Sequence, residues 1–253
     1  MALLSTDAIV LHAFDYSETS RILRLATREA GVQSVLARGA RRSKSRFGSS
    51  LDLFVAGIAQ LHLKDGRDLQ TLGAFEVTDQ RAQLGEDLGR FTSASAVAEL
   101  VLRFGTDDAS PTLFDALGEA LDEIAEAPPE RAREAGLAGV WRLVAELGFA
   151  PSLDSCSACH APVPDQAETS FSHGAGGVLC DSCAPSYSAR RILPPEARAC
   201  IASWSGSGRV RTLDLPSARA HQRLLREFLQ EHLAEGRLLN AFDVWESGRW
   251  SAP

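Results

Sequence analysis

LFVAGIAQLHL (residues 53–63) and LQTLGAFEV (residues 69–77) flank Lys64-Asp65-Gly66-Arg67, and this stretch decides how the first third of the chain folds. Asp-Gly between two apolar runs is a strong hairpin signal, because glycine accepts the positive φ that a tight turn needs. Working outward toward the N-terminus, VQSVLAR (32–38), SRILRLATR (20–28) and LLSTDAIVLHAF (3–14) are rich in β-branched and aliphatic residues, with Glu29-Ala30-Gly31 as a turn. Five short strands in about eighty residues fit a small closed barrel better than a flat sheet, since closure removes exposed edges. Strand count alone leaves an SH3-like barrel open beside other five-stranded barrels.

Between the third and fourth strand patterns lies RGARRSKSRFG (38–48), in which Arg38, Arg41, Arg42, Lys44 and Arg46 fall within nine residues and no acid interrupts them. The whole chain is acidic, with 26 Lys+Arg against 33 Asp+Glu. Cations concentrated in one loop of such a chain point to an anionic ligand held there; a solvated loop kept basic for solubility is the plainer alternative. Residues 1–80 carry 10 cations and 9 acids, whereas the remainder carries 16 and 24. That asymmetry suggests two domains with different partners, 1–80 and 81–253.

From about residue 80 the period becomes helical. Phe91, Ala94, Val97, Ala98, Val101 and Leu102 form one stripe, and Leu113, Leu117, Leu121 and Ile124 a second. Pro128-Pro129 breaks the chain before a third helix carrying Leu137, Val140, Trp141, Val144 and Leu147, which Gly148 ends. Residues 194–204 and 216–235 read as two more. At 45% hydrophobic and 23% charged residues, 253 residues supply a sizeable core.

Cys156-Ser-Ala-Cys159 and Cys180-Asp-Ser-Cys183 form two CxxC pairs twenty residues apart. Two thiolate pairs on tight turns can present four sulfurs tetrahedrally to zinc, within an insert at about 152–188. Four cysteines saturate that ion, so the expected role is structural, with one zinc per chain. A rubredoxin-like iron site, a redox dithiol pair or merely reduced cysteines are the other readings. His160 and His173 are spare candidate ligands, and Cys200 lies outside the spacing.

No stretch of about eighteen apolar residues occurs and no export signal is evident, so a reducing compartment and no membrane are expected. The chain lacks GxxxxGK[ST], GxSxG and HExxH, and the adjacent acids Glu86-Asp87 and Asp107-Asp108 suit solvent or helix caps. His12, His62, His221 and His232 read as structural or solvated. A binding protein is therefore expected rather than an enzyme.

A small N-terminal barrel, the RGARRSKSRFG loop, a helical remainder and the CxxC…CxxC insert together resemble the RecO family of bacterial recombination mediators. Asp15-Tyr-Ser-Glu-Thr-Ser-Arg-Ile-Leu23 and Thr27-Arg-Glu-Ala-Gly31 also resemble it. The likeness is most specific over residues 1–80 and continues to about residue 235. It implies an α+β protein: a five-stranded oligonucleotide/oligosaccharide-binding (OB) barrel, then an α-helical domain carrying the zinc insert. It also implies binding of single- and double-stranded DNA, annealing of complementary strands without ATP hydrolysis, and help in loading RecA. The implied partners are RecR and the acidic C-terminal tail of single-stranded DNA-binding protein, in the bacterial cytoplasm at the nucleoid.

The basic loop's chemistry agrees with DNA, since Arg and Lys displace phosphate counterions without reading sequence. Arg21, Arg24 and Arg28 are spaced so that they cannot all face one side of a strand, and Arg21 is the one expected to join the loop. Phe14, Tyr16, Phe47 and Phe54 are candidates for stacking on bases. A buried barrel phenylalanine is the commoner case, with Phe47 the expected exception because it lies among the cations. The nucleic-acid-binding set is thus Arg21, Arg38, Arg41, Arg42, Lys44, Arg46 and Phe47. The alternative is a zinc-stabilised adaptor whose basic loop contacts an acidic protein partner.

Overall fold

A computed structural model describes residues 2–42, 45, 47, 51–206, 212–233 and 239–247. Strands β1 (Ala2–Tyr16), β2 (Ser20–Thr27), β3 (Gly31–Ala37), β4 (Ala56–Leu63) and β5 (Leu69–Asp79) close a barrel in the order β1-β2-β3-β5-β4. Every neighbouring pair is antiparallel except β3 and β5, where Ser34 faces Leu69 and Leu36 faces Thr71 in parallel. This five-stranded closure with one parallel seam is the OB arrangement. Gly66 takes φ +70° in the β4–β5 hairpin, where Arg67 N–H donates to the Lys64 carbonyl at 3.3 Å. The Gln70 side chain ties off the same turn, accepting from Lys64 N–H at 2.8 Å and donating to the Arg67 carbonyl at 2.8 Å.

β4 starts three residues later than its apolar pattern. Phe54 sits at φ +68°, with its N–H donating to the Val10 carbonyl at 2.8 Å, and Val10 N–H donates to the Val55 carbonyl at 3.0 Å. The chain turns there to deliver the Phe54 ring away from the barrel, edge-on to Phe91 at 5.8 Å. β1 has its own irregularity: Val10 pairs with Leu25 and His12 with Arg24, so Leu11 is one extra residue in the ladder.

Among the described residues seven α-helices follow: α1 (Gln83–Glu86), α2 (Leu88–Phe104), α3 (Pro111–Glu126), α4 (Ala132–Glu146), α5 (Pro195–Ser205), α6 (Leu215–His232) and α7 (Asn240–Ser247). The Asp87 side chain caps α2 by accepting from Arg90 N–H at 2.9 Å, the role its adjacent-acid motif allowed. α4 is the central helix, with Leu137, Val140, Trp141 and Val144 fully buried. α7 lies beyond the part of the chain whose pattern was legible. Its Phe242 and Trp245 are buried, Trp245 Nε1 donates to Ser93 Oγ at 2.9 Å, and Glu99 of α2 accepts from Ala241 N–H at 2.8 Å. Between α4 and α5 sits a small sheet of β6 (Thr169–Ser172), β7 (Gly177–Leu179) and β8 (Arg191–Leu193), ordered β7-β6-β8. Among the described residues no helix is long and apolar enough to cross a membrane.

Two apolar cores divide the labour. Val10, Leu23, Leu25, Val35, Leu61 and Leu72 fill the barrel, while Ile9, Leu11, Ala26, Val32 and Phe54 on its flank join the core of the helices. Arg81, buried at that junction, donates to Asp122 at 2.6 Å and to the Phe54 carbonyl at 3.0 Å. Gly31 marks the closest approach, at φ +57°. A Cβ there would fall on the carbonyl oxygens of Thr106 and Asp108, and Val32 N–H donates to Thr106 at 2.8 Å.

Gly31→Ala is therefore expected to destabilise the protein by about 2 kcal/mol or more, combining the left-handed backbone cost with the steric conflict. Urea unfolding should show the midpoint falling, and an unchanged midpoint would mean that the contact yields freely.

His221 supplies a pH test. It is buried edge-on against Trp204 at 4.9 Å, and burial pulls its pKa from 6.5 down to about 4. The unfolded chain takes up this proton first, so the associated stability is complete above about pH 6.5 and is lost as pH falls toward 4. Replacing His221 by Phe should flatten the stability profile over that window by about 1 kcal/mol per pH unit. Parallel wild-type and variant profiles from pH 7 to 4 would remove His221 as the cause.

Candidate nucleic-acid interface and metal centre

The connection between β3 and β4 is anchored by apolar residues and displays polar ones. Phe47, Leu51 and Val55 enter the barrel core, while Arg38, Arg41 and Arg42 are exposed. Gly39, at φ +73°, starts the turn; Arg42 N–H donates to its carbonyl at 3.1 Å, and Ser45 N–H donates to Arg42 at 2.9 Å. Arg41 fastens this turn to the β1–β2 hairpin, its N–H donating to the Thr19 carbonyl at 3.0 Å and Nη1 to the Ser17 carbonyl at 3.2 Å. Lys44 and Arg46 lie outside the described residues.

Arg21 joins this cluster at the barrel mouth. Asp15 holds Arg21 Nε at 3.3 Å with one carboxylate oxygen and Arg41 Nε at 3.3 Å with the other. Asp52 lies 3.8 Å from Arg21. These pairs are partly exposed, so they orient the guanidiniums more than they stabilise the fold. Arg24 faces the other side of β2, with Nη1 donating to Ser34 Oγ at 3.0 Å. Arg28 is turned to the helices, bonded to Asp115 and stacked over the Phe114 ring at 5.1 Å. The three arginines therefore point three ways.

Phe47 does not accompany the cations. It is 3% exposed, because a ring next to an open barrel end gains more by entering the core than by standing in water. Phe54 is equally buried. The rings presented to solvent are Phe14, 44% exposed, and Tyr16, 49% exposed.

The second constellation is compact. The ligand atoms of Cys156, Cys159, Cys180 and Cys183 all lie within 4.8 Å of one another, and the Cys159 and Cys180 sulfurs are 3.7 Å apart. A tetrahedron with metal–sulfur bonds of about 2.3 Å has sulfurs about 3.8 Å apart, so the donor set is positioned for zinc. Tight turns build it: His160 N–H donates to the Cys156 carbonyl at 2.8 Å, and Cys183 N–H to the Cys180 carbonyl at 3.0 Å. Burial pushes the Cys156 thiol up, but backbone hydrogen bonds at Cys180, Cys159 and Ala158 outweigh it and bring it down to about 6. Hydrogen bonds shared with Cys180 and Cys159, then burial, push Cys183 up to about 12. Four thiols this close cannot all ionise without a cation among them.

Neither spare histidine joins the sulfurs. His160 is exposed at φ +61°, and His173 Nε2 lies 3.0 Å from Glu227 of α6. Glu227 also accepts from Arg191 Nε at 2.6 Å, so one carboxylate ties β8 and the residue just after β6 to the helices. Cys200 is buried in the helical core.

Comparison with known proteins places both halves of the chain in one lineage. The family model described as recombination protein O N terminal matches residues 1–81, and that described as recombination protein O C terminal matches residues 85–240. The DNA repair protein RecO of Anaeromyxobacter dehalogenans (strain 2CP-C) is 35% identical over 242 residues, covering 92% of each chain. That of Anaeromyxobacter sp. (strain Fw109-5) is 32% identical over 250 residues, 94% of this chain and 93% of the relative. RecO of Syntrophotalea carbinolica is 36% identical over 180 residues, covering 71% and 69%. The chain belongs to the RecO family.

Proposed function

We propose that the protein is a DNA-binding recombination mediator in DNA repair, working in the cytoplasm at the nucleoid. In this reading it binds single- and double-stranded DNA, anneals complementary strands, and helps RecA onto protein-coated single strands together with RecR. The observation that carries the proposal is the turn bearing Arg38, Arg41 and Arg42, held out from an OB barrel by its own buried anchors, with Arg21 brought alongside. Lys44 and Arg46, outside the described residues, join the same binding set from the sequence. Such a cationic face binds phosphates through counterion release and screens the mutual repulsion of two strands, which annealing requires. No covalent chemistry is needed, so the protein acts by binding rather than as an enzyme. Residues 1–80 serve as the DNA-binding unit, and 81–253 as the helical unit with one structural zinc on Cys156, Cys159, Cys180 and Cys183.

The adaptor reading has one observation in its favour. A groove of about 680 Å³ between β8, α5 and α6 has Ile192, Leu193, Leu213 and Leu224 among its walls, with Arg190 and Arg223 also lining it. That combination suits a peptide with both apolar and acidic residues, such as the tail of single-stranded DNA-binding protein. Both activities fit one mediator.

Replacing Arg41, Arg42, Lys44 and Arg46 together by Ala should weaken DNA binding and flatten the slope of log K against log salt by about 3 units. Annealing of two labelled complementary strands, without nucleotide, should be lost in parallel. An unchanged slope would place the phosphate contacts elsewhere.

Elemental analysis should find one zinc per chain. Cys156→Ser should lower that stoichiometry and the thermal midpoint of the helical unit, while affinity for a single strand stays within about twofold, since the loop anchors belong to the separate barrel core. Loss of DNA binding together with the metal would show that the two units are coupled.

A further inference from the structure

The extra residue in β1 has a consequence for the outer surface of the barrel. Strict alternation sends Ala8 and Val10 into the barrel and, if continued, would send His12, Phe14 and Tyr16 after them. Leu11 breaks the phase. Beyond it, Ala13 packs with the barrel core opposite Leu23, and Asp15 stands opposite Arg21 on that same side. His12, Phe14 and Tyr16 are turned to the outside, with the His12 and Phe14 ring centroids 5.8 Å apart and tilted by 52°. Bulges re-aim side chains in this way beside functional sites.

The neighbours give this run of rings a direction. Across the β1–β2 ladder, Arg24 lies opposite His12 and Ile22 opposite Phe14. The Arg24 hydrogen bond goes to the neutral Ser34 hydroxyl, and no carboxylate pairs with it among the described residues. At the other end, directly after Tyr16, the Ser17 and Thr19 carbonyls receive Arg41. Exposed rings are thus bracketed by cations, on the part of the barrel wall that the helices leave uncovered.

We infer that His12, Phe14 and Tyr16 form a stacking platform for the unpaired bases of a single strand, running from Arg24 to the Arg41 turn. The inference rests on the DNA-binding reading and adds a preference for unpaired over duplex DNA. Rings with free faces gain from bases, and each stacked base is worth about 1–3 kcal/mol whatever its identity. Bases in a duplex are already stacked and offer no face. A second copy of this chain would bring Arg24 and Arg41 against their own counterparts, whereas a strand brings phosphates to both. An acidic peptide would satisfy the arginines and leave the rings without partners.

The test uses the full zinc-loaded chain and three labelled probes: a poly-dT oligonucleotide, an abasic strand of equal length, and a duplex. Phe14→Ala with Tyr16→Ala should weaken poly-dT binding at least about tenfold, with abasic and duplex affinities within about twofold of wild type. Phe14→Trp with Tyr16→Trp should restore poly-dT binding to near the wild-type value. Circular dichroism checks that both variants fold. Equal loss on all three probes, or failure of the Trp pair to restore binding, would overturn the platform in favour of a disturbed cationic turn. Unchanged poly-dT binding, with the salt slope still dependent on the cationic loop, would also overturn it while leaving the DNA-binding reading intact. Failure of wild type to bind any probe would bring down both.

Discussion

Leu11 lies in the same apolar core as Ala94, Val97 and Val101 of α2, together with Ile9, Ala26, Val32 and Phe54, and the other surfaces of the barrel follow from that burial. A barrel of this size is hydrophobic inside and neutral outside by default. Here one flank is apolar as well and must be covered by helices. Once that flank is committed, the remaining wall and the mouth are all the barrel has to offer a ligand. The bulge at Leu11 serves both ends of this division: it sends one side chain to the helices and reverses the facing of everything after it in β1. Gly31 and Arg81 then hold the barrel at close range, the first by having no side chain and the second by satisfying a strained carbonyl at Phe54.

Electrostatics completes the arrangement at the mouth. The chain has a net charge of −7, so a distant polyanion meets overall repulsion, which salt of physiological strength screens within about 8 Å. The field at the mouth is therefore local, and there Arg38, Arg41, Arg42 and Arg21 dominate. Asp15 bridges two of these arginines with its two oxygens. A phosphate presents the same kind of paired acceptors, so the cations are held in a spacing that an incoming backbone can take over. Arg28 has no such freedom: bound to Asp115 and Phe114, it belongs to the junction and not to the surface.

The parts of this structure that could be read from sequence are those whose signal is local. Asp65-Gly66 specifies its own turn, CxxC specifies its own knuckle, and the stripes through Val97 and Leu117 specify helices without reference to anything else. Phe47 could not be placed this way, because whether a ring beside five cations faces water depends on an opening in a barrel that the loop itself closes. Phe14 is the mirror case: period-two logic hides it, and a single inserted residue exposes it. α7 was missed for a third reason. Its Phe242 and Trp245 sit at helical spacing, but eight residues make too short a stripe to read alone, and its stability comes from Glu99 and Ser93, more than a hundred residues earlier.

The division into two cores also bears on what the metal centre can reach. Cys156, Phe171, Val178 and Leu179 belong to the helical core, and Glu227 of α6 holds His173, just after the central strand β6, and Arg191 of the outer strand β8. Softening at the sulfurs is therefore transmitted first to α6 and α4, through Phe171, Phe228 and Trp141, whose tilted rings follow one another with centroids 6.2 and 5.4 Å apart. Phe47, Leu51 and Val55, which hold the cationic turn, are in the other core. Among the described residues the apolar route between the two is the flank of Ile9, Leu11, Ala26, Val32 and Phe54. Among the described residues, the core around the four cysteines and the core that anchors the cationic turn are thus separate apart from that flank.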